Sequence, residues 1–356
     1  MILFFKPETS FLRWCKVKNG TLLENKFKFS PDLYNEIIEN IDDIKEIEAI
    51  GYFLYHGGGI IKNPVSILTP ESLVKAEECI SFLPEYNDLT FKVARYWLKN
   101  LPNVQHLFFC DTAFFTNLPE QTSTYGVPYK LFRKGIRRYG GYGLCHQWAW
   151  EQAQLFSNGA IQKVLSIYLG NHTNITAIRD GKPLETTIGF TPVEGILSSN
   201  SCGDLDPNII FELYSKGMSF NEINQLLSEK SGFSGLLGKK CSFLDIVQSK
   251  DEPEKLPIRK IFHYNIIKYI GAFISILGGI DAIVFVSEYL EESMDFIFEI
   301  CHKLEFLGLK CKIASYENKK NQNLTKNGSS MKVFCLKYDG WKVMAEKAKN
   351  LLKEVS

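Results

Sequence analysis

The spacing of short apolar runs is the feature that most constrains the fold of this chain. Two such runs stand close together at 2–5 and 11–17, and a second pair stands at 163–169 and 175–179. Each pair precedes an alternation of helical segments with further apolar runs, which lie at 50–55, 104–110, 282–286 and 333–336. Short apolar runs between helical segments are typical of strands in α/β proteins. We therefore predict two similar α/β domains, each opening with a pair of adjacent strands.

The length of the chain also favours two domains. With 356 residues, 45% of them hydrophobic and 23% charged, the sequence is long and apolar enough for each domain to bury its own core. We place the N-terminal domain at 1–113 and the C-terminal domain at 114–339. Apolar residues at helical spacing near the end predict an amphipathic helix over 340–356, which we expect to pack back on the N-terminal domain.

Three local patterns predict where helices begin. Thr69 followed by Pro70 is typical of a first helical turn, and Asp88 is predicted to open another helix. Ser219 with Glu222 three residues later forms a capping-box pattern before a run of leucines.

The charge balance limits the classes of partner. The 41 Lys and Arg residues against 40 Asp and Glu leave a formal charge of +1, which argues against a nucleic-acid surface or a polybasic membrane anchor. The most apolar stretch, 269–286, is interrupted by Asp281 and two glycines, so we predict a buried helix followed by a strand. No signal-peptide pattern is present, and we expect a cytoplasmic protein.

Cysteine and histidine usage predicts no metal site. The nine cysteines include no C-x-x-C pair, and the six histidines form no H-x-x-x-H pattern. An odd number of scattered cysteines is typical of free thiols in a protein that is not secreted.

Several segments are too particular to be explained by core packing. In chain order they are Tyr55-His56-Gly57-Gly58, Cys110-Asp111-Thr112-Ala113-Phe114, Gly135-Ile136-Arg137-Arg138-Tyr139-Gly140, Leu169-Gly170-Asn171, Cys202-Gly203-Asp204-Leu205-Asp206-Pro207 and Leu277-Gly278-Gly279-Ile280-Asp281. Their order and spacing resemble the acetate kinase family, which includes propionate and butyrate kinases. The resemblance implies the duplicated two-domain fold of actin-like ATPases and sugar kinases, with ligands in an interdomain cleft.

The resemblance also implies an activity and its cofactors. Members of the family transfer the γ-phosphoryl group of ATP to a short carboxylate, with Mg²⁺, and form an acyl phosphate. Such a transfer depends on positioning and on cations that stabilise charge on the moving phosphoryl group. The family is dimeric, so the resemblance implies a homodimer, and a small carboxylate or phosphate-bearing molecule is the implied ligand.

At the N-terminal side of the implied site, one family residue is retained and three are replaced. Asp111 corresponds to the family's substrate-site Asp. Lys6 replaces a magnesium-binding Asn, Glu8 replaces a Gly of the phosphate loop, and Phe53 replaces a substrate-binding Arg. A glycine lets backbone amides approach a phosphate closely, whereas a carboxylate repels it.

Further along the chain, the resemblance places Tyr142 and Tyr168 at histidine positions and Ser201 at a catalytic Arg position. His146, the second His of its motif, is retained. One arginine that stabilises a phosphoryl-transfer transition state contributes on the order of 10³ to 10⁵ in rate. These replacements predict a strongly impaired kinase.

The nucleotide side of the implied site is also changed. Ser242 and Leu244 stand where the family contacts adenosine, and 286–292 replaces a glycine-rich loop with a segment containing three acids. The remaining nucleotide-binding candidates by position are Lys6, Arg13, Gly170, Asn171 and Asp204. Asp339 is the one candidate for a metal ligand near the C-terminus, and these changes make ATP and Mg²⁺ binding doubtful.

Several of these residues also have ordinary structural interpretations. Asp111 could orient a substrate or cap the segment after its strand, and Asp204 and Asp206 suit a turn. Arg137 and Arg138 suit a salt-bridged scaffold more than a phosphate site. His56 and His146 suit hydrogen-bonded core positions, and neither Cys145 nor Cys202 has a sequence cue for a reactive thiolate.

The sequence therefore leaves three hypotheses. The first is a catalytically impaired or inactive family member with a binding or regulatory role. The second is an active acetate- or propionate-type kinase with a rearranged site that uses Asp111, Lys6 and one of Arg137 or Arg138. The third is a different, larger acid as ligand, because the aromatic replacements make a charged pocket more apolar.

Overall fold

The computed structural model describes residues 1–8, 10–30, 33–41, 44–312 and 321–355. Within them the chain forms two compact units. Unit 1 comprises Met1–Thr116, Gly141–Leu144 and Asp339–Ser356, and unit 2 comprises Asn117–Gly140 and Cys145–Tyr338. Among the described residues, no helix is both long and apolar enough to cross a membrane.

Unit 1 contains a mixed six-stranded sheet. Its strands are β1 (Ile2–Pro7), β2 (Phe11–Lys18), β3 (Thr21–Lys28), β4 (Ala49–Leu54), β5 (Val65–Ile67) and β6 (Gln105–Cys110). They are arranged in the order β3-β2-β1-β4-β6-β5. The first three strands pair antiparallel, β1, β4 and β6 pair parallel, and β5 closes the edge antiparallel to β6.

Helices cover the sheet of unit 1 because its central strands β1, β4 and β6 are apolar on both faces. The helices are α1 (Leu33–Glu39), α2 (Pro70–Ala76), α3 (Pro84–Asn100) and the C-terminal α13 (Gly340–Val355), with 3₁₀ turns at Ile44–Glu46, Glu77–Phe82 and Asp111–Asn117. All six residues of β4 are buried. On one face Phe91 and Trp97 of α3 join a core with Phe5, and on the other Trp341 and Met344 of α13 join a core with Phe4. The C-terminal helix therefore buries its apolar stripe against this sheet.

Unit 2 repeats the same topology. Its strands are β7 (Lys163–Tyr168), β8 (Asn174–Arg179), β9 (Lys182–Thr186), β10 (Ala282–Ser287), β11 (Gln322–Asn323) and β12 (Lys332–Lys337), arranged as β11-β12-β10-β7-β8-β9. As in unit 1, an antiparallel meander leads into three parallel strands, and a short antiparallel strand closes the edge. The prediction of two similar α/β halves is confirmed.

Several helices of unit 2 pack around a large apolar core. The helices of this unit are α4 (Glu120–Ser123), α5 (Tyr129–Phe132), α6 (Gly143–Ser157, which begins in unit 1), α7 (Asn208–Ser215), α8 (Phe220–Glu229), α9 (Gly232–Leu237), α10 (Phe243–Val247), α11 (Leu256–Leu277) and α12 (Leu290–Lys303), with a 3₁₀ turn at Glu305–Leu307. Phe262 of α11 and Phe296 of α12 stack at 5.3 Å between ring centroids, inside the core that includes Phe285 of β10.

The predicted helix starts are confirmed at two of three positions. Thr69 caps α2, and Ser219 forms a capping box with Glu222 at α8. The predicted start at Asp88 is wrong, because α3 begins at Pro84 and Asp88 forms an i,i+4 ion pair with Lys92 inside it. The apolar stretch 269–286 forms a helix and a strand, as predicted, but the helix begins earlier, at Leu256.

Candidate functional site

Asp111 lies directly after β6, at the carboxyl end of a parallel strand of unit 1. Its carboxylate accepts hydrogen bonds from the backbone N–H groups of Tyr142, at 2.6 Å, and Leu144, at 3.4 Å. Because α6 begins at Gly143, these bonds satisfy donors that the helix itself leaves unpaired. Burial raises the pKa of Asp111 to about 6, against the opposing effects of the Tyr142 amide and the Lys6 charge. The capping interpretation of Asp111 therefore has a geometric basis.

The backbone around this cap is closely constrained. Tyr142 adopts a φ of 57°, a left-handed conformation that residues with a side chain rarely adopt. A Cβ atom on Gly143 would lie 2.1 Å from the backbone carbonyl oxygen of Asp111. The segment fits against Asp111 only because a glycine follows Tyr142.

Lys6 and Phe53 are neighbours in unit 1. The Lys6 Nζ atom lies 4.6 Å from the centroid of the Phe53 ring and 5.7 Å from that of Tyr55, distances typical of cation–π contacts. The two rings meet edge to face with centroids 4.8 Å apart. Burial, and to a smaller extent the Glu8 charge, raises the pKa of Tyr55 well above its usual value. An ammonium therefore occupies this end of β1, next to the residue that stands in an arginine position.

The turn that follows Lys6 is closed by its own backbone. The N–H of Glu8 donates to the carbonyl of Phe11 at 2.9 Å, which links β1 and β2. That amide is therefore already bonded, whereas a phosphate loop presents its amides to the ligand. Thr9, part of the same predicted loop, lies outside the described residues.

Arg13 is paired with two carboxylates, those of Glu8 and Glu24. Its Nε donates to Glu24 at 2.8 Å, its Nη1 lies 3.5 Å from a Glu8 oxygen, and its guanidinium carbon lies 5.7 Å from the ring centroid of Trp341. Burial opposes the charge of Arg13, but the two glutamates outweigh burial and raise its pKa. A nucleotide phosphate would have to compete with both acids for this arginine.

In unit 2, His146 is a fully hydrogen-bonded core residue. Its Nδ1 lies 2.8 Å from the hydroxyl of Ser166, and its Nε2 contacts the side-chain oxygen of Asn174. Burial lowers the pKa of His146 to about 4. Both ring nitrogens are occupied, so this geometry gives His146 a structural position on α6 next to β7 and β8.

Gly170 and Asn171 organise the turn after β7. The side-chain oxygen of Asn171 accepts from the Ser199 hydroxyl at 2.9 Å and from the backbone N–H of Phe243 at 3.1 Å. A Cβ on Gly170 would lie 2.8 Å from the hydroxyl of Tyr168, so glycine makes room for the tyrosine that replaces a family histidine. Asn171 therefore joins two neighbouring segments of unit 2.

Ser201 and Asp204 are also bonded within unit 2. The Ser201 hydroxyl lies 2.6 Å from that of Ser198, and Ser201 is only 2% exposed. The Asp204 carboxylate accepts from the Gly195 N–H at 3.1 Å, from the Tyr269 hydroxyl, and from Lys268 at 3.2 Å. Position 201 therefore carries no cation. Asp204 stabilises the turn through these hydrogen bonds, as its Gly-Asp-x-Asp pattern predicts.

Arg138 and Arg137 have different surroundings in unit 2. Arg138 pairs with Glu194 at 2.9 Å and lies 5.4 Å from the ring centroid of Tyr125, whose hydroxyl donates to Glu194. Arg137 lies 5.3 Å from the ring centroid of Phe132. The scaffold interpretation therefore agrees with the contacts of Arg138.

The nucleotide-side positions take part in helix capping. Ser242 caps α10, accepting from the Asp245 N–H at 3.3 Å. Glu291 and Glu292 lie in the first turn of α12. The helix dipole stabilises their negative charge, and that charge repels a phosphate. The segment 286–292 thus contributes acids to a helix start that commonly binds anions.

The residues at the family's magnesium positions do not form an oxygen donor set. Lys6 carries an ammonium, and Asp339 caps α13 by accepting from the N–H groups of Trp341, at 3.1 Å, and Lys342, at 3.2 Å. In the part of the chain that the structure describes, no three His, Cys, Asp or Glu side chains are grouped as metal ligands. We assign no step to a magnesium ion held by these residues.

Two cysteines, Cys145 and Cys202, belong to the segments around the implied site. Cys145 is buried, and Cys202 is half-buried with its Sγ 3.2 Å from the carbonyl oxygen of Gly203. Burial raises the pKa of Cys202, so this thiol resists ionisation.

The duplicated sheets and the ordered motifs at their strand ends define an α/β protein built from two units with the same mixed six-stranded topology. The family model described as the Acetokinase family matches residues 28–346. Acetate kinase from Carboxydothermus hydrogenoformans is 35% identical over 298 residues, which cover 82% of this chain and 73% of that protein. Acetate kinase from Thermotoga petrophila is 37% identical over 287 residues, covering 78% and 70%.

A solved structure supports the same assignment. The crystal structure of Porphyromonas gingivalis acetate kinase matches 99% of this chain and 99% of its own, with a TM-score of 0.87 and 26% sequence identity. A propionate kinase structure from Francisella tularensis matches with a TM-score of 0.83 at 23% identity, which concerns the fold alone. The chain belongs to the acetokinase family.

Proposed function

We propose that this protein is a slow carboxylate kinase, which transfers a phosphoryl group from ATP to a short-chain carboxylate through a rearranged site. The observation that carries the proposal is the match to proteins named acetate kinase, at 34–37% identity over more than two thirds of each chain in the examples above and in a Desulfitobacterium hafniense relative. The charge of Lys6 acts on the buried carboxylate of Asp111, at the position that the resemblance assigns to the substrate site, and this arrangement supports the same view.

Lys6 is the residue that we expect to replace the missing arginine. Its ammonium already lies against Phe53 and Tyr55 at the end of β1, and its charge acts on Asp111. An ammonium pairs with a carboxylate as a point charge and lacks the two-pronged geometry of a guanidinium. We therefore expect Lys6 to hold the substrate carboxylate, and the neighbouring rings to contact its alkyl part.

The expected rate is low because charge stabilisation is reduced. Phe53 and Ser201 carry no cation, and a missing donor to a developing charge costs about 10² to 10³ in rate. Kinases in general turn over about 1–100 times per second, and we expect turnover well below that range. The rate losses at Phe53 and Ser201 cannot be multiplied together, because the effects of groups that act on the same transition state are not additive.

The test is acyl phosphate formation, trapped as the hydroxamate. Purified protein with ATP, Mg²⁺ as the nucleotide's counterion, and acetate or propionate should give slow product formation above a blank without protein. Lys6→Met should lower the rate by about 10² or more. Lys92→Met, which removes an exposed lysine paired with Asp88, is the matched control and should leave the rate unchanged. Product formation that is absent, or equal in Lys6→Met, would contradict the proposal.

A second candidate function is ligand binding without transfer. The observation that favours it is that His146, Ser201 and Asp204 are all bonded within unit 2. In that case hydroxamate formation is absent, but a nucleotide at 100 times its dissociation constant should stabilise the protein by about 2.7 kcal/mol. A denaturation series with and without ATP distinguishes this function from a chain that binds no nucleotide.

A further inference from the structure

A buried arginine that is not among the positions discussed above lies between α11 and α12 of unit 2. Arg259 of α11 is 6% exposed. Its Nη1 donates to Glu299 of α12 at 2.6 Å, and its guanidinium carbon lies 5.0 Å from the ring centroid of Phe296. Its Nε and Nη2 are buried and have no hydrogen-bond partner among the described residues. Two donors of a charged group are thus buried without an acceptor, which is costly unless something supplies one.

The two unpartnered atoms form a recognisable chemical unit. Nε–H and Nη2–H lie on the same edge of a guanidinium and point in parallel, so together they match two oxygens of a carboxylate or a phosphate. Arg179 shows the contrast, because its Nε lacks a partner but its Nη2 donates to the carbonyl of Leu277. Among the described arginines, Arg259 is the one with this whole edge buried and without a partner.

A histidine contributes a third unpartnered atom next to Arg259. His263 is four residues further along α11, on the same face, and its ring lies edge to face with Phe296 at 5.7 Å between centroids. Its Nε2 is buried without a partner among the described residues. The backbone carbonyl of Glu299 opposes the lowering of the ring's pKa, which is the direction expected when Nδ1–H faces that carbonyl and Nε2 is left without a proton. Burial lowers the pKa of His263, so the neutral ring presents a lone pair at Nε2.

The two donors of Arg259 and the one acceptor of His263 together suit one kind of oxyanion. The edge of Arg259 needs two acceptor oxygens, whereas the Nε2 lone pair of His263 needs a donor. A hydrogen phosphate or a singly protonated phosphate monoester supplies both, while sulfate and a carboxylate have no proton to donate near neutral pH. The Glu299 side chain is 37% exposed, so the cluster lies next to solvent.

We propose that Arg259 and His263 form a binding site for a protonated phosphate group, with Nε and Nη2 of Arg259 donating to two of its oxygens and Nε2 of His263 accepting its O–H. The proposed site does not include Lys6 or Asp111, and it is independent of whether the protein transfers phosphoryl groups. Inorganic phosphate and a phosphate monoester share this chemistry, and the experiment distinguishes them.

The experiment is a thermal-shift titration of the full chain near neutral pH. Potassium phosphate, glycerol 3-phosphate, potassium sulfate and potassium chloride are compared at matched ionic strength. We expect a saturable rise in melting temperature with phosphate, and a smaller rise with sulfate, which lacks the proton for His263. A rise with phosphate but not glycerol 3-phosphate identifies the free ion as the ligand, and equal rises identify any phosphate monoester.

Variants assign the response to this cluster. Arg259→Met should abolish the rise, and His263→Leu should reduce the phosphate response to the sulfate level. Arg95→Met, which removes an exposed arginine paired with Glu77, should respond like the wild type. Lys6→Met should also respond like the wild type, because it alters unit 1 only.

Three results would overturn the proposal: a phosphate response that does not saturate, one that persists in Arg259→Met, or one that disappears in Lys6→Met. If Arg259→Met fails to fold, His263→Leu decides alone, because a preference for phosphate over sulfate that survives in that variant contradicts the role of Nε2.

Discussion

At the scale of single residues, Asp111 shows why a retained acid does not by itself identify a catalytic site. A carboxylate at the end of a parallel strand suits both a ligand and the amides of a following helix, and sequence offers no way to choose between them. The structure shows that the Tyr142 and Leu144 amides bind it. Each carboxylate oxygen can accept more than one hydrogen bond, and the charge of Lys6 acts on this group. A ligand role for Asp111 is therefore part of the proposed function.

The raised pKa of Asp111 predicts a pH dependence of stability. Its pKa is about 6 in the folded protein, against about 3.9 in an unfolded chain. Between these values the folded state binds more protons, so this group's contribution to the free energy of unfolding falls as pH rises from about 4 to 6. Asp111→Asn should remove that contribution, and urea denaturation across this range measures it.

The control for this prediction is another aspartate of unit 1. Asp88→Asn, at a half-buried position of α3, should keep the wild-type pH dependence. If Asp111→Asn keeps it as well, burial of the carboxylate is not what sets the pKa.

At the scale of elements, strands with apolar residues were predictable and edge strands were not. All eight predicted strands are present, because each is buried on the sheet interior or against helices. β3 has an exposed sequence of Thr, Glu, Asn and Lys, and its strand conformation depends on pairing with β2. β5 and β11 have three and two residues, too few for any periodicity. The stretch 315–330 is rich in Asn and Lys and predicts a surface loop, but part of it forms β11, and 315–320 lies outside the described residues.

A helix start could be predicted from sequence only where a nearby side chain caps it. The Ser219 capping box was predictable because its two bonds lie within four residues, whereas α3 starts at Pro84 with no side-chain cap. The unpartnered atoms of Arg259 and His263 were not predictable, since they depend on how α11 packs against α12. A helical i,i+4 pair of basic residues was the only sequence signal for them.

The capping box of α8 predicts a local stability effect. Ser219 accepts from the Glu222 N–H at 3.3 Å, and Glu222 accepts from the Ser219 N–H at 2.8 Å. Ser219→Ala should lower the free energy of unfolding by about 1 kcal/mol, because the Glu222 N–H then loses its acceptor. Thermal or urea denaturation measures the difference.

Ser228→Ala, in the last turn of the same helix, is the matched control. Its hydroxyl donates only to the Asn224 carbonyl, which already belongs to the helix, so we expect a change within about 0.5 kcal/mol. Equal losses in the two variants would show that the cap contributes nothing specific.

At the scale of the whole molecule, the duplication is far clearer in topology than in sequence. Each unit has the same strand order and the same sequence of parallel and antiparallel pairings. The residues that fill the two cores differ, with Trp97 and Phe91 in unit 1 and a row of phenylalanines in unit 2. Packing requires only apolar residues of suitable volume, so two halves with the same topology need not share recognisable sequence.

We expect the protein to be a homodimer in solution, as the family resemblance implies. Sedimentation equilibrium should give twice the mass of one chain, with a dissociation constant that a dilution series measures. A single-chain mass that holds at every concentration would contradict this expectation.

The burial of most thiols has a practical consequence for spectroscopy. Seven of the nine cysteines are buried, and the two half-buried ones, Cys202 and Cys311, are both in unit 2. Unit 1 thus offers no accessible natural attachment point for a maleimide dye or a nitroxide label. A single engineered cysteine there, with these two replaced by serine, would report on ligand-induced motion without a fully cysteine-free background.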